Sequence, residues 1–177
     1  MSSGQQHDRI TWILFPVIAV VSLEVTRPWY LSTIISISFL FSGLMFGPDL
    51  DIKSVQTSRW GIFRSFWSLY RRAIPHRSFL SHGFLIGTIV RICYLVGILL
   101  LIGTIVMLGY DLIKKSIWDP RQLITQFFNF LFLEHRKEII ASLVGLEIGA
   151  MSHYVVDWFS SAFKKLFKSK RKKKRDR

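Results

Sequence analysis

Residues 84–108 read FLIGTIVRICYLVGILLLIGTIVML, and Arg91 is the one charged side chain among them. A helix that is apolar on every side sits either deep in a large core or in lipid. This stretch is long enough to cross a bilayer with some tilt. The expected fold class is therefore all-α, a membrane-embedded helical bundle.

Three further segments have the same character. Residues 29–46, WYLSTIISISFLFSGLMF, open with aromatics suited to a membrane interface. Residues 138–159, EIIASLVGLEIGAMSHYVVDWF, are apolar but interrupted by polar groups. Residues 10–25, ITWILFPVIAVVSLEV, are shorter and carry Pro16 and Glu24. About four transmembrane helices are expected. Residues 122–133, QLITQFFNFLFL, are too short to span and read as an interfacial or re-entrant piece, with Asp119-Pro120 as its helix start. In residues 59–75, RWGIFRSFWSLYRRAIP, the aromatics Trp60, Phe63, Trp67 and Tyr70 recur at helical spacing. They predict an amphipathic helix, either on the leaflet with its arginines toward anionic headgroups or packed on the bundle.

Charge sets the expected orientation. The net charge is +13 although half the residues are hydrophobic. Residues 52–83 hold Lys53, Arg59, Arg64, Arg71, Arg72 and Arg77 and no acid. The tail 164–177, KKLFKSKRKKKRDR, has ten basic residues and one acid. An even number of spans puts both basic regions on one side, which the positive-inside rule makes cytoplasmic. The expectation is an integral protein of an inner, plasma or thylakoid membrane with both termini cytoplasmic. Residues 1–163 then form a membrane-embedded helical domain. Residues 164–177 form a disordered polybasic tail facing membrane lipids. Nucleic acid is disfavoured as a partner, because charge alone supports it. No feature points to a protein partner.

The single cysteine, Cys93, excludes an internal disulfide and a CxxC zinc site, and is expected as a small buried hydrophobe. The opening MSSGQQHDRI lacks a basic n-region, so the first apolar segment is expected to be retained rather than cleaved as a signal peptide.

The five histidines and the unusual carboxylates are distributed unevenly. His7-Asp8 precedes the first apolar segment, and Asp49 and Asp51, in FGPDLD, follow the second. His76 and His82, in HRSFLSH, precede the third, and His153 and Asp157 lie late in the fourth. The topology above brings all of these to the cytoplasmic ends of their helices. Histidine nitrogen with carboxylate oxygen favours zinc, with manganese or iron as the other options. His153 and Asp157 are four apart and share a helix face. Gly47-Pro48 ends the second helix, so a turn can aim Asp49 and Asp51 at one site. Pro75 and Gly83 bracket the pair at 76 and 82, which reads as a loop or a short broken helix. The expected metal ligands are His7, Asp49, Asp51, His76, His82, His153 and Asp157. Ser78 and Ser81 are expected to orient the imidazoles and Arg77 to meet an anion. Asp8 belongs to the same surround. Glu147 lies about 9 Å deeper than His153 along a helix, as a partner of a ligand, a distant ligand or a helix–helix hydrogen bond. An ionisable pair inside an apolar segment adds weight to a functional reading. Glu24 is too far along the first helix to join, His135 is expected in solvent at the opposite end, and Arg91 is expected to snorkel to the interface.

The segments SGQQHDRI, GLMFGPDLDI, RRAIPHRSFLSHG and SHYVVDW together resemble small cyanobacterial membrane proteins of an uncharacterised metal-binding family. That family is more distantly similar to inner-membrane metal-dependent hydrolase-like proteins. The likeness covers nearly the whole chain except the tail. A weaker likeness is to the helical zinc phospholipase C and nuclease group. His153-x-x-x-Asp157 resembles a metal-binding pair of that group, but the chain has one such pair and fewer histidines. One or two metal ions are implied rather than a full trinuclear cluster. The expected function is a metal-dependent hydrolase acting on a phosphoester or lipid-like substrate at the cytoplasmic face, with Arg77 and the basic loop attracting the anionic substrate. The alternatives are a non-catalytic metal-stapled membrane scaffold and a lipid-interacting protein.

Overall fold

The computed structural model describes the backbone of residues 4–76, 78–114 and 119–175, and the side chains there except at 114, 120 and 163–175. Among the described residues every regular element is helical. Helices α1 (Gly4–Thr26) and α2 (Trp29–Leu44) come first. A 3-10 turn at Pro48–Asp51 leads into three short helices, α3 (Val55–Ser58), α4 (Trp67–Ala73) and α5 (Phe79–His82). Then follow α6 (Ile86–Lys114), α7 (Pro120–Asn129) with a π turn at Phe130–Glu134, and α8 (Arg136–Arg175). Four stretches, Gly4–Thr26, Trp29–Asp51, Ile86–Ile113 and Arg136–Ala162, are long and apolar enough to cross a membrane.

Small residues decide which of these helices touch. A Cβ on Gly145 of α8 would sit 2.3 Å from the Ile35 carbonyl of α2, and one on Gly149 would sit 2.6 Å from Ser42 Cβ. Backbones approach this closely only where side chains are absent or small. Ser42 Oγ donates across the seam to the Leu146 carbonyl at 2.6 Å. Gly43 performs the same task between α2 and Thr11 of α1. Ser32 Oγ lies 2.7 Å from Ser22 Oγ and donates to the Ala19 carbonyl at 3.1 Å. These hydroxyls are buried and hydrogen-bonded, which is the condition for a polar group between apolar helices.

The rest of the core lies at one end of this bundle. Phe46, Leu50, Trp67, Tyr70 and Ile74 form a buried cluster against Trp60 and the first turns of α6. The expected single helix over 59–75 is absent. Gly61, with φ +56, breaks it into a 3-10 turn over Gly61–Ser65 followed by α4. The aromatic row divides accordingly. Trp67 and Tyr70 turn into the core while Phe63 stays exposed.

α6 packs only where it begins. From Leu99 to Leu108 every residue is exposed. Cys93 is exposed too, contrary to the expected buried hydrophobe. α1 begins six residues earlier than the apolar run suggested and takes His7 into its first turn. α7 starts where expected, with the Asp119 side chain accepting from the Arg121 backbone N–H at 2.9 Å. The backbone of α8 passes residue 164 without a break and continues to Arg175. Lysine and arginine are good helix formers and nothing in the stretch interrupts the helix. The tail side chains lie outside the described residues.

Candidate metal centre

Four segments converge on one end of the bundle. The first turn of α1 supplies His7, the 3-10 turn after α2 supplies Asp49 and Asp51, and α5 with its approach supplies His82 and His76. α8 supplies His153 and Asp157, one helical turn apart. Their donor atoms form three overlapping groups, each within 4.8 Å: His7, His153 and Asp157; Asp51, His76 and His82; and Asp49, His82 and Asp157. All seven residues expected as ligands are therefore gathered together. Asp49 and Asp51 share a turn; Asp49 lies 3.4 Å from His153 and Asp51 lies 2.8 Å from His76, and His82 is grouped with both.

The spacing suits an ion. Two donors held about 2.1 Å from one tetrahedral ion lie about 3.4 Å apart. His7 Nε2 lies 3.4 Å from Asp157 Oδ1, and His153 Nε2 lies 3.4 Å from Asp49 Oδ2. His153 Nε2 is 3.9 Å from Asp157 Oδ2, and His82 Nδ1 is 3.7 Å from Asp51 Oδ2. Each is longer than a good hydrogen bond. The exception is His76 Nδ1 to Asp51 Oδ1, at 2.8 Å. The His7 and His153 rings stack face to face, with centroids 3.6 Å apart and planes 6° from parallel. The buried His82 Nε2 has no hydrogen-bond partner among the described residues. Burial, the largest effect, lowers the His82 pKa, with Asp51 opposing and His76 assisting. A neutral imidazole is the form that ligates metal.

The surrounding polar groups fall into distinct roles. Ser81 is buried, and its hydroxyl donates to Asp51 Oδ2 while lying 3.0 Å from His82 Nδ1. Asp8 points away from the histidines and pairs with Arg59, whose Nη1 and Nη2 donate to its oxygens at 2.9 and 2.5 Å. Ser78 caps the start of α5 by position, and its hydroxyl makes no bond to either imidazole. Arg77 lies outside the described residues. Glu147 takes the third of its expected roles. Its Oε1 accepts the Leu85 backbone N–H at 3.0 Å and ties α8 to the entry of α6. Leu85 sits in the left-handed region, with φ 59, an unfavourable conformation for a branched side chain. α1 is unbroken, so Glu24 stays at its far end, and His135 is exposed beside Glu138.

Arg91 is the residue that hydropathy misplaced. It is fully buried rather than snorkelling. Its Nη1 donates to the Ser81 carbonyl and its Nη2 to Thr88 Oγ1, both at 3.0 Å. The guanidinium lies 6.0 Å from the centre of the Phe46 ring. Arg91 thus supports Ser81 from behind, and Ser81 in turn supports Asp51. Tyr70 lies in the same layer, where burial pushes its phenol up to about 12. A lone arginine inside an otherwise apolar segment was the available signal, since such residues are expensive there and rarely idle.

A cavity of about 460 Å³ opens beside the cluster, with His7, Asp49 and His153 on one wall and Lys53, Ser54 and Gln56 on the other. Gln56 is buried and its Nε2 donates to the Gly43 carbonyl at 3.0 Å, fixing α3 against α2. Small molecules therefore have a path to the His7 and His153 side of the site.

No curated protein and no solved structure matches the chain. One family model does, over residues 2–167, described as uncharacterized metal-binding protein (DUF2227). The match takes in every residue of the cluster and nearly the whole chain, and the protein belongs to that metal-binding family.

Proposed function

We propose that this is an integral membrane metal-dependent hydrolase that acts on a phosphoester or lipid-like substrate at the cytoplasmic face. The observation that carries the reading is the overlap of three His/Asp groups beside an open cavity. His7, His153 and Asp157 would hold one ion, and Asp51, His76 and His82 a second. Asp49 lies between the two sets and on the cavity wall. Mixed nitrogen and oxygen donors favour zinc, with manganese or iron as substitutes. Lewis acidity toward water and a phosphoryl oxygen is the chemistry such ions supply when bound.

The chain's own groups complete the proposed site. Asp49 is placed to accept a proton from water in the cavity. Ser81 holds Asp51 in register with His76 and His82. The basic segment 52–83 draws an anionic substrate toward the opening. Four apolar stretches of spanning length and the basic distribution support membrane insertion with both termini cytoplasmic. The extension of α8 through the polybasic tail would lie against anionic headgroups.

A second reading, a metal staple without catalysis, is favoured by one observation. The donors come from α1, the turn after α2, the α5 region and α8, so an ion would tie these segments together. One experiment separates the two. The protein is purified in detergent without chelator, its metal content is measured, and a phosphodiester is offered as substrate. Stoichiometric metal that is absent in His82→Ala and His153→Ala, together with turnover, is the expected result. Metal without turnover, lost together with the fold, selects the staple. A parent protein with no metal sinks both.

A further inference from the structure

We infer that the cleft formed by Lys53, Arg64 and Arg71 is a phosphate-binding subsite beside the metal centre, selecting substrates that carry a second phosphate group. The cleft measures about 470 Å³ and has no acidic residue in its lining. Among the described residues none of these three cations forms an ion pair. Arg59 nearby shows the contrast, since it is held by both oxygens of Asp8. Arg71 also has a buried Nη1 without a hydrogen-bond partner. A buried guanidinium nitrogen left unpaired is unfavourable, and three like charges around one cleft add repulsion. A phosphate relieves the repulsion, because its charge meets the lysine and both arginines, whose forks match phosphate oxygens.

The hydroxyls in the wall narrow the donor set. Ser54 donates to the Asp49 carbonyl, Thr57 to the Ile52 carbonyl, Ser58 to the Val55 carbonyl and Ser65 to the Ile62 carbonyl, at 2.8, 2.8, 2.7 and 3.4 Å. Their hydrogens are committed to backbone, so the three cations carry recognition. The cleft shares Lys53, Ser54 and Ser58 with the cavity that reaches His7, Asp49 and His153. One molecule can therefore place one phosphate on the cations and present another group to the metal centre. The selection of substrate rests on the hydrolase reading, whereas the binding of phosphate to the cleft does not.

The test uses the full chain in neutral detergent after removal of metal, with inorganic phosphate as the probe and calorimetry as the readout. The parent is expected to bind phosphate. Arg71→Gln, and separately the exposed pair Lys53→Gln with Arg64→Gln, are expected to weaken it about tenfold or more. His153→Ala is expected to leave it unchanged. The exposed double variant keeps the test valid if Arg71→Gln fails to fold. Displacement of phosphate by short-chain phosphatidic acid in preference to glycerol 3-phosphate identifies a lipid headgroup, and the reverse order identifies a soluble phosphoester; either supports the subsite. A parent that binds no phosphate at millimolar concentration overturns it. So does a loss of binding in His153→Ala with none in the charge variants, or displacement by neither phosphoester. Phosphate binding in a parent that takes up no metal defeats the hydrolase reading and leaves the subsite standing.

Discussion

In α2, Ser32, Ile35, Ser36, Phe39, Ser42 and Gly43 are buried, whereas α6 between Leu99 and Leu108 is exposed on every side. Both are apolar enough to span a membrane. What differs is the placement of small residues. α2 presents serines and a glycine to α1 and α8, and α8 returns Gly145 and Gly149. Of the glycines of α6, Gly87 in the first turn meets the Ser81 carbonyl, whereas Gly97, Gly103 and Gly109 face open space. Apolar content thus qualifies a helix for lipid, while small residues at matched positions choose its protein neighbours. The candidate metal centre sits at the end of the packed helices.

This contrast can be broken by substitution. Gly145→Val should destabilise the fold by about 1–3 kcal/mol, because its new carbons meet the Ile35 backbone, which cannot swing aside. Thermal unfolding in detergent measures it, and a wild-type midpoint would refute the small-residue seam. Ser81→Ala should weaken metal binding by about 10–100-fold while leaving the melting profile close to the parent, since the hydroxyl orients Asp51 and carries little packing. Competition with a chelator of known affinity reads this, and unchanged affinity would remove Ser81 from the site. Glu147→Leu should cost about 1 kcal/mol by leaving the Leu85 N–H without its acceptor. Its trace should appear as faster hydrogen exchange at the start of α6 rather than along α8. Gly103→Ala should be the mildest, stabilising α6 by at most about 1 kcal/mol through helix propensity alone. A loss of stability there would mean that a partner helix lies on α6.

Much of this arrangement was legible before any fold was known. Pro48 after Gly47 marked the end of α2, and the pair His153 and Asp157 marked one face of α8. HRSFLSH was readable as a broken segment, and α5 is one turn long. Other features left no local trace. Asp49 lies against His153 and Asp51 against His76, with His82 grouped with both, which depends on the exact rotation of a 3-10 turn. Trp67 and Tyr70 were readable as one aromatic row with Trp60 and Phe63, and the break at Gly61 assigned them to the core instead. Cys93 and Arg91 lie two residues apart on α6, one exposed and one fully buried.

Which segments are helical, which are long and apolar enough to span, and which residue types are available as donors follow from the sequence by itself. Hydropathy and capping are local properties, readable over one or two turns of chain. The division of the seven donors into three overlapping groups, the burial of Arg91 behind Ser81, and the acid-free cleft of Lys53, Arg64 and Arg71 belong to the tertiary structure alone. Each depends on how far one helix is rotated against another. A rotation of about 100° is a single residue along an α-helix, and no local pattern in the sequence constrains it until the small residues of two helices meet.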